Sequence, residues 1–158
     1  MPDRDDAILA ALSGIANACR PVPGLITGGQ PTDLQVRAAQ DAGLATILDS
    51  RAPIEPRPFD EPALAATLGL RYENIPISGA ALNDTTMEAI LAVLRDKSAA
   101  PVLFHCGSGN RVAGALIPYF MRDHGMDEEQ AVALAMKVGL RSPDLLRWGL
   151  EYASQEST

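Results

Sequence analysis

Aromatic residues are scarce: three Phe, three Tyr and one Trp make up 4% of the 158 residues. Any core must therefore be packed from aliphatic side chains. Cysteine is scarcer still, with only Cys19 and Cys106. That excludes a disulfide scaffold and suits a reduced, cytoplasmic setting in which a free thiol can work. Lysine and arginine never form a run, and the net charge is −7. This excludes the basic footprint that nucleic acids and anionic membrane surfaces require. No apolar stretch approaches the roughly 20 residues of a membrane span, and the acidic start Met1 to Asp6 lacks the basic segment of a secretory leader. Two histidines and two cysteines, widely spaced, do not form a metal-ligand pattern, so neither metal nor other cofactor is expected. What remains, 47% hydrophobic and 21% charged, is an ordinary soluble composition for one domain over residues 1–158.

The periodicity alternates helix and strand. A short amphipathic helix is expected over about 6–18, from Ile8, Leu9, Leu12 and Ile15. A strand leads into Gly28-Gly29-Gln30-Pro31, and Thr32 with Gln35 forms a capping box that opens a helix to about Ala42. Leu44 to Leu48 reads as a buried strand ending in Asp49-Ser50-Arg51. Four prolines between 52 and 62 then forbid regular structure. A helix over Ala63 to Leu68, a strand over Tyr72 to Ile77, and a helix capped by Thr85 with Glu88 follow. The strand Val102 to Phe104 precedes helices up to Gly125, from Asp127 to Gly139, and from Ser142-Pro143 onward, with a polar tail at 154–158. This is an α/β pattern: a mainly parallel sheet flanked by helices. Ligands of such sheets bind at the carboxyl ends of strands, which puts Gly28-Gly29-Gln30, Asp49-Ser50-Arg51, Ser78-Gly79 and His105-Cys106 on one rim.

One stretch carries chemistry. Val102-Leu103-Phe104 runs into His105-Cys106-Gly107-Ser108-Gly109-Asn110-Arg111, followed by the helical pattern Val112, Leu116, Ile117, Phe120. A strand, a tight loop and a helix place a thiol where the unpaired N–H groups of a helix start converge on an anion. The same field favours the nucleophilic thiolate. Gly107 and Gly109 let the backbone wrap a small anion, and Arg111 adds a planar fork of donors. Ser108 is a candidate donor to the thiolate or the anion, and Asn110 serves the ligand or the turn. His105, one residue before the nucleophile, points away from it by strand alternation and is expected to orient the loop. Arg51 is a candidate anion clamp, with pairing to Glu55 or Asp49 as the alternative. His124 and Trp148 read as structural, and Cys19 as a packed thiol.

The combination of Gly29-Gln30-Pro31, Ile47-Leu48-Asp49-Ser50-Arg51, Tyr72 to Ile77 and the loop His105 to Arg111 resembles the beta-lactamase hydrolase-like phosphatase family. The resemblance covers about 23–153. It implies the dual-specificity tyrosine phosphatase fold, with Cys106 as nucleophile and Arg111 as anion-binding arginine; some relatives are labelled sulfur transferases. Three departures are visible. Tyrosine phosphatases separate Cys and Arg by five residues, whereas here only Gly107, Ser108, Gly109 and Asn110 intervene, a shorter loop such as single-domain rhodaneses use. Val112 stands where a hydroxyl usually assists the leaving thiolate. Gly79 stands where an aspartate acid is expected, leaving Asp84 as the nearby candidate, with a helix-start role as its alternative.

These features lead to a cysteine-dependent enzyme acting on a small anion through a covalent Cys106 intermediate. The short loop and the missing acid point first to sulfane-sulfur transfer from thiosulfate or a persulfide to an acceptor thiol. Hydrolysis of phosphate esters through a cysteinyl-phosphate is the alternative, and a non-catalytic anion-binding or redox-sensing module is the second. No nucleic acid or membrane partner is expected.

Overall fold

The computed structural model describes residues 3–155. The apolar run Val102 to Phe104 becomes the middle of β5 (Val102–His105), a strand buried along its whole length, as strands covered on both faces are. β5 lies between β2 (Leu25–Gly28) and β3 (Thr46–Asp49), and the sheet order is β1-β2-β5-β3-β4, with β1 at Cys19–Val22 and β4 at Arg71–Asn74. β2, β5, β3 and β4 run parallel, while β1 pairs antiparallel with β2. The sheet is mixed.

Side-chain alternation along the strands assigns the two faces. Ile26, Ile47 and Leu103 pack with Ile8, Val36 and Leu64, from α1 (Asp3–Ala11), α2 (Asp33–Asp41) and α3 (Glu61–Leu68), and with Leu12 just past the end of α1. Leu48, Val102 and Phe104 pack on the other face with Ile90, Leu116, Phe120 and Trp148. That layer holds α4 (Asp84–Arg95), α5 (Asn110–Asp123), α6 (Glu128–Val138) and α7 (Pro143–Ser154). Glycines let α5 and α7 close on each other: a Cβ at Gly149 would overlap the Gly114 carbonyl. Within the described residues, no helix is long and apolar enough to cross a membrane.

Several boundaries differ from expectation. The helix expected over 6–18 ends at Ala11, and the chain turns through Asn17, whose φ is +55°. Ser13 and Gly14 are poor helix residues; Ile15 keeps its place in the core without a helix beneath it. β1 escaped notice because Cys19-Arg20-Pro21-Val22 carries a proline, which a sheet tolerates only at an edge. α3 starts at Glu61, its first turn capped by the Asp60 side chain, so the proline-spaced loop is shorter than expected. The strand expected over Tyr72 to Ile77 closes as a ladder at Asn74, although Ile75 and Ile77 still donate to the Asp49 and Ser50 carbonyls. The cap of α4 is Asn83, not Thr85. Ser154 closes α7, and residues 156–158 of the expected tail lie outside the described ones.

Candidate active site

The central strand delivers the thiol. β5 ends at His105, Cys106 follows, and α5 begins at Asn110 with Gly109 as its cap residue. Gly109 has φ +102°, a conformation that glycine adopts without strain. Its amide N–H donates to Cys106 Sγ at 3.0 Å. No side chain caps this helix start, so its first amides remain available to an anion. The sulfur lies at the loop floor: Cys106 is 1% exposed, beneath the exposed Gly107 and Ser108.

Neighbouring segments hold the loop. Asn17 Nδ2 donates to the Ser108 carbonyl at 2.6 Å, and the Gln30 amide to the Gly107 carbonyl at 3.3 Å. A Cβ at Gly29 would sit 2.5 Å from that same Gly107 oxygen, which explains the glycine of Gly29-Gln30-Pro31. Asn110 Oδ1 accepts from the Arg141 amide at 2.7 Å and the Ser142 amide at 3.2 Å. The Asn110 side chain thus ties the start of α5 to the α6–α7 turn, and the left-handed position falls on Gly109.

Arg111 leaves the first turn of α5 and turns back over the cysteine loop, where its Nη2 would lie 3.3 Å from a Cβ at Gly107. Its two terminal nitrogens are held by Glu55, Nη1 to Oε2 at 2.6 Å and Nη2 to Oε1 at 2.8 Å. This bidentate bond is the main reason the Glu55 carboxyl lies below the usual carboxylate range; burial opposes it, and the Ala52 amide adds to it. Glu55 and Arg111 line a cleft of about 470 Å³ together with Ala52, Ile77, Gly79 and Leu145. A second cleft, about 540 Å³, opens beside Arg57, Phe59, Asp60, Pro62, Tyr72 and Asn74.

Beneath the loop, on the α1–α3 face, lies a buried ionic cluster. Asp49 accepts from Arg51 Nε at 3.0 Å and Nη2 at 2.8 Å, from Tyr72 Oη at 2.6 Å and from Arg57 Nη1 at 3.2 Å. Burial raises the Asp49 carboxyl, but the Arg51 hydrogen bonds, the facing His105 and Tyr72 together hold it far below the usual range. Burial and the bond to Asp49 push the Tyr72 hydroxyl well up. His105 turns to this face, as alternation predicts: Nε2 donates to Glu61 at 2.6 Å, and Nδ1 lies 3.3 Å from the Cys106 carbonyl. It touches the loop backbone, not the sulfur. Asp49, Glu61 and His105 bring ligand-type atoms within 4.8 Å of one another. The fixed guanidinium of Arg51, 3.6 Å from Glu61 Oε1 as well as bonded to Asp49, already supplies the cation there, so the donor set does not fit a metal ion.

The structure therefore brings together Cys106, Gly107, Ser108, Gly109, Asn110 and Arg111. Arg51 does not join them: it is 2% exposed and committed to Asp49, which corrects its expected role as an anion clamp. Asp84 does not join either. It sits in the first turn of α4 and accepts from Gln155 Nε2 at 3.1 Å, so the proposed acid is a surface helix-start residue. Sequence reasoning missed Glu55 as the partner of Arg111 and Asn17 as a support of the loop. Neither has a local signature, since Glu55 lies in an irregular proline-spaced loop and Asn17 was assigned to a helix.

No protein-family profile matches the sequence, and no curated protein matches it. Solved structures do. A DUF442 protein from Shewanella putrefaciens CN-32 superposes with a TM-score of 0.78 at 20% identity, covering 92% of this chain and 97% of that one. The core catalytic domain of the PP-IP phosphatase SIW14 from S. cerevisiae, in complex with citrate, gives 0.73 at 14% identity, covering 88% and 90%. TpbA from P. aeruginosa gives 0.68 at 21% identity, covering 87% and 83%. The fold is that of dual-specificity-phosphatase-like proteins. At these identities the likeness speaks for the fold, and the chemistry must be argued from the site.

Proposed function

We propose that this chain is a cysteine-dependent phosphatase that hydrolyses a small phosphomonoester through a cysteinyl-phosphate on Cys106. The observation that carries the reading is the uncapped start of α5, with the Gly109 N–H on Cys106 Sγ and Arg111 turned back over the same loop at Gly107. In this reading the loop amides and Arg111 bind the phosphoryl oxygens, and the thiolate attacks phosphorus in line with the ester oxygen. The S–P bond forms as the P–O bond breaks, and water then hydrolyses the thiophosphate. Ile77, Leu82 and Leu145 form apolar walls of the cleft, suited to an uncharged body on the phosphate. The neighbours support this substrate class: SIW14 is a PP-IP phosphatase, and a cysteine-to-serine form of TpbA was solved with pTyr.

The comparisons favour phosphate chemistry over the sulfane-sulfur transfer expected from loop length. That second reading keeps one observation of its own, the four-residue spacing between Cys106 and Arg111. The deciding experiment is steady-state turnover of p-nitrophenyl phosphate and of thiosulfate with an acceptor thiol, on one preparation with Cys106→Ser as control. Cys106-dependent, vanadate-sensitive release of nitrophenol supports the phosphatase reading. Cys106-dependent consumption of thiosulfate without phosphate release assigns the site to sulfur transfer.

A further inference from the structure

We propose that Glu55 is the proton donor of this site, a catalytic role that neither Asp84 nor the glycine at position 79 can fill. The inference rests on the phosphatase reading above. Its starting point is a conflict in the geometry: the guanidinium that should receive the substrate's oxygens is already held at both terminal nitrogens by a carboxylate. In the free protein Glu55 occupies the place of the anion. An incoming phosphoryl group must take the Arg111 fork from it.

That displacement leaves the carboxyl group where an acid is needed. Glu55 lines the same cleft as Arg111, Ser78 and Gly79. Its side chain hangs from an irregular loop, hydrogen-bonded by one carboxylate oxygen to the Ala52 amide, and its side chain remains 29% exposed. It can therefore swing off the guanidinium without unfolding an element. The charges facing it are Arg51 on its own loop, Arg111 from α5, and Asp144 across the cleft from α7; the β4–α4 loop offers only the neutral Ser78. Hydrogen bonding to Arg111 is what holds the Glu55 carboxyl low in the free protein. A bound phosphate dianion removes that bond and adds negative charge next to it, and both changes favour the protonated acid. Asp144, the other carboxylate in the cleft, sits in the first turn of α7 with its carboxylate 3.3 Å from Arg147.

The step balances. Cys106 sulfur forms the bond to phosphorus, and the P–O bond breaks with its electron pair going to the ester oxygen. That oxygen takes the proton from Glu55. In the second step the Glu55 carboxylate takes a proton from the attacking water, the S–P bond breaks back to thiolate, and inorganic phosphate leaves.

The test compares wild type with Glu55→Gln on two esters, p-nitrophenyl phosphate with its good leaving group and phenyl phosphate with a poor one, each across pH. Loss of a general acid costs on the order of 10²–10⁴ in rate, and the loss falls on the ester that needs the proton. E55Q should lose about 10²-fold or more on phenyl phosphate and far less on the nitrophenyl ester, and the alkaline limb of its kcat profile should disappear. Vanadate should inhibit E55Q at least as tightly as wild type, because the competing carboxylate is gone; that also reports a folded site. Equal losses on both esters, with a raised KM and weakened vanadate inhibition, would show Glu55 to be only a positioning residue for Arg111. Disappearance of the alkaline limb in Asp144→Asn instead would assign the proton to Asp144. Absence of any Cys106-dependent ester hydrolysis in wild type would overturn the phosphatase reading together with this role.

Discussion

Replacing Asp49 with asparagine removes one negative charge from a site without solvent. Asp49 is fully buried and accepts from the Arg51 amide, Nε and Nη2, from Tyr72 Oη and from Arg57 Nη1. Asparagine keeps one acceptor oxygen and turns an NH₂ group toward the Arg51 or Tyr72 donors. Arg51, 2% exposed, is left with Glu61 at 3.6 Å as its nearest carboxylate. Breaking a buried ion pair by removing one partner costs about 3–5 kcal/mol, roughly a fifth or more of the ~5–15 kcal/mol that stabilises a domain. For a chain of this size that lowers Tm by roughly 10 °C. The pH dependence follows from the depressed carboxyl of Asp49. Its contribution is fully present above the unfolded value of about 4 and is lost as pH falls toward the folded value. Urea denaturation of both proteins should give a constant stability difference from about pH 5 to 8, shrinking below about pH 4. A difference under about 1 kcal/mol at neutral pH, or one that persists unchanged into acid, would refute the assignment of Asp49 as the anion that holds Arg51.

Gly109→Ala places a Cβ 2.7 Å from the Val138 carbonyl at a φ of +102°; displacing the amide on Cys106 should lower kcat by about 10²–10³-fold, as loss of an oxyanion donor does, read from ester turnover. Gly149→Ala drives a methyl into the Gly114 carbonyl and Ile117, an overpacking that should cost about 1–3 kcal/mol in urea denaturation while leaving KM unchanged. Cys19, half-buried in the edge strand with its thiol pushed up mainly by burial, should tolerate Cys19→Ser with unchanged turnover and unchanged vanadate sensitivity.

Much of this architecture was legible because it is written locally. The capping boxes at Thr32 and Asp127 set real helix starts, and the small-residue loop between an apolar strand and an apolar helix located the nucleophile. Period-2 alternation sent His105 to one face and Cys106 to the other. What was not legible depends on partners distant in sequence. For Arg51 the sequence offers an anion clamp or a pair with Asp49, and the fold decides for Asp49 by adding Glu61 beside it; Glu55 acquires meaning only when Arg111, 56 positions on, arrives beside it. β1 was missed because an edge strand with a proline has neither alternation nor an apolar run. Asn83 holds the cap expected of Thr85, its side-chain oxygen accepting from the Thr86 amide at 2.9 Å.

The central claim is that Cys106 accepts a phosphoryl group. Mixing the protein with p-nitrophenyl phosphate, quenching in acid within one turnover and mapping peptide masses tests it directly. The account predicts a mass gain of one phosphoryl group on the peptide containing Cys106, absent in Cys106→Ser and lost on longer incubation. An unmodified Cys106 during active phosphate release, or a stable gain of one sulfur atom from thiosulfate with no phosphoryl adduct, would contradict it.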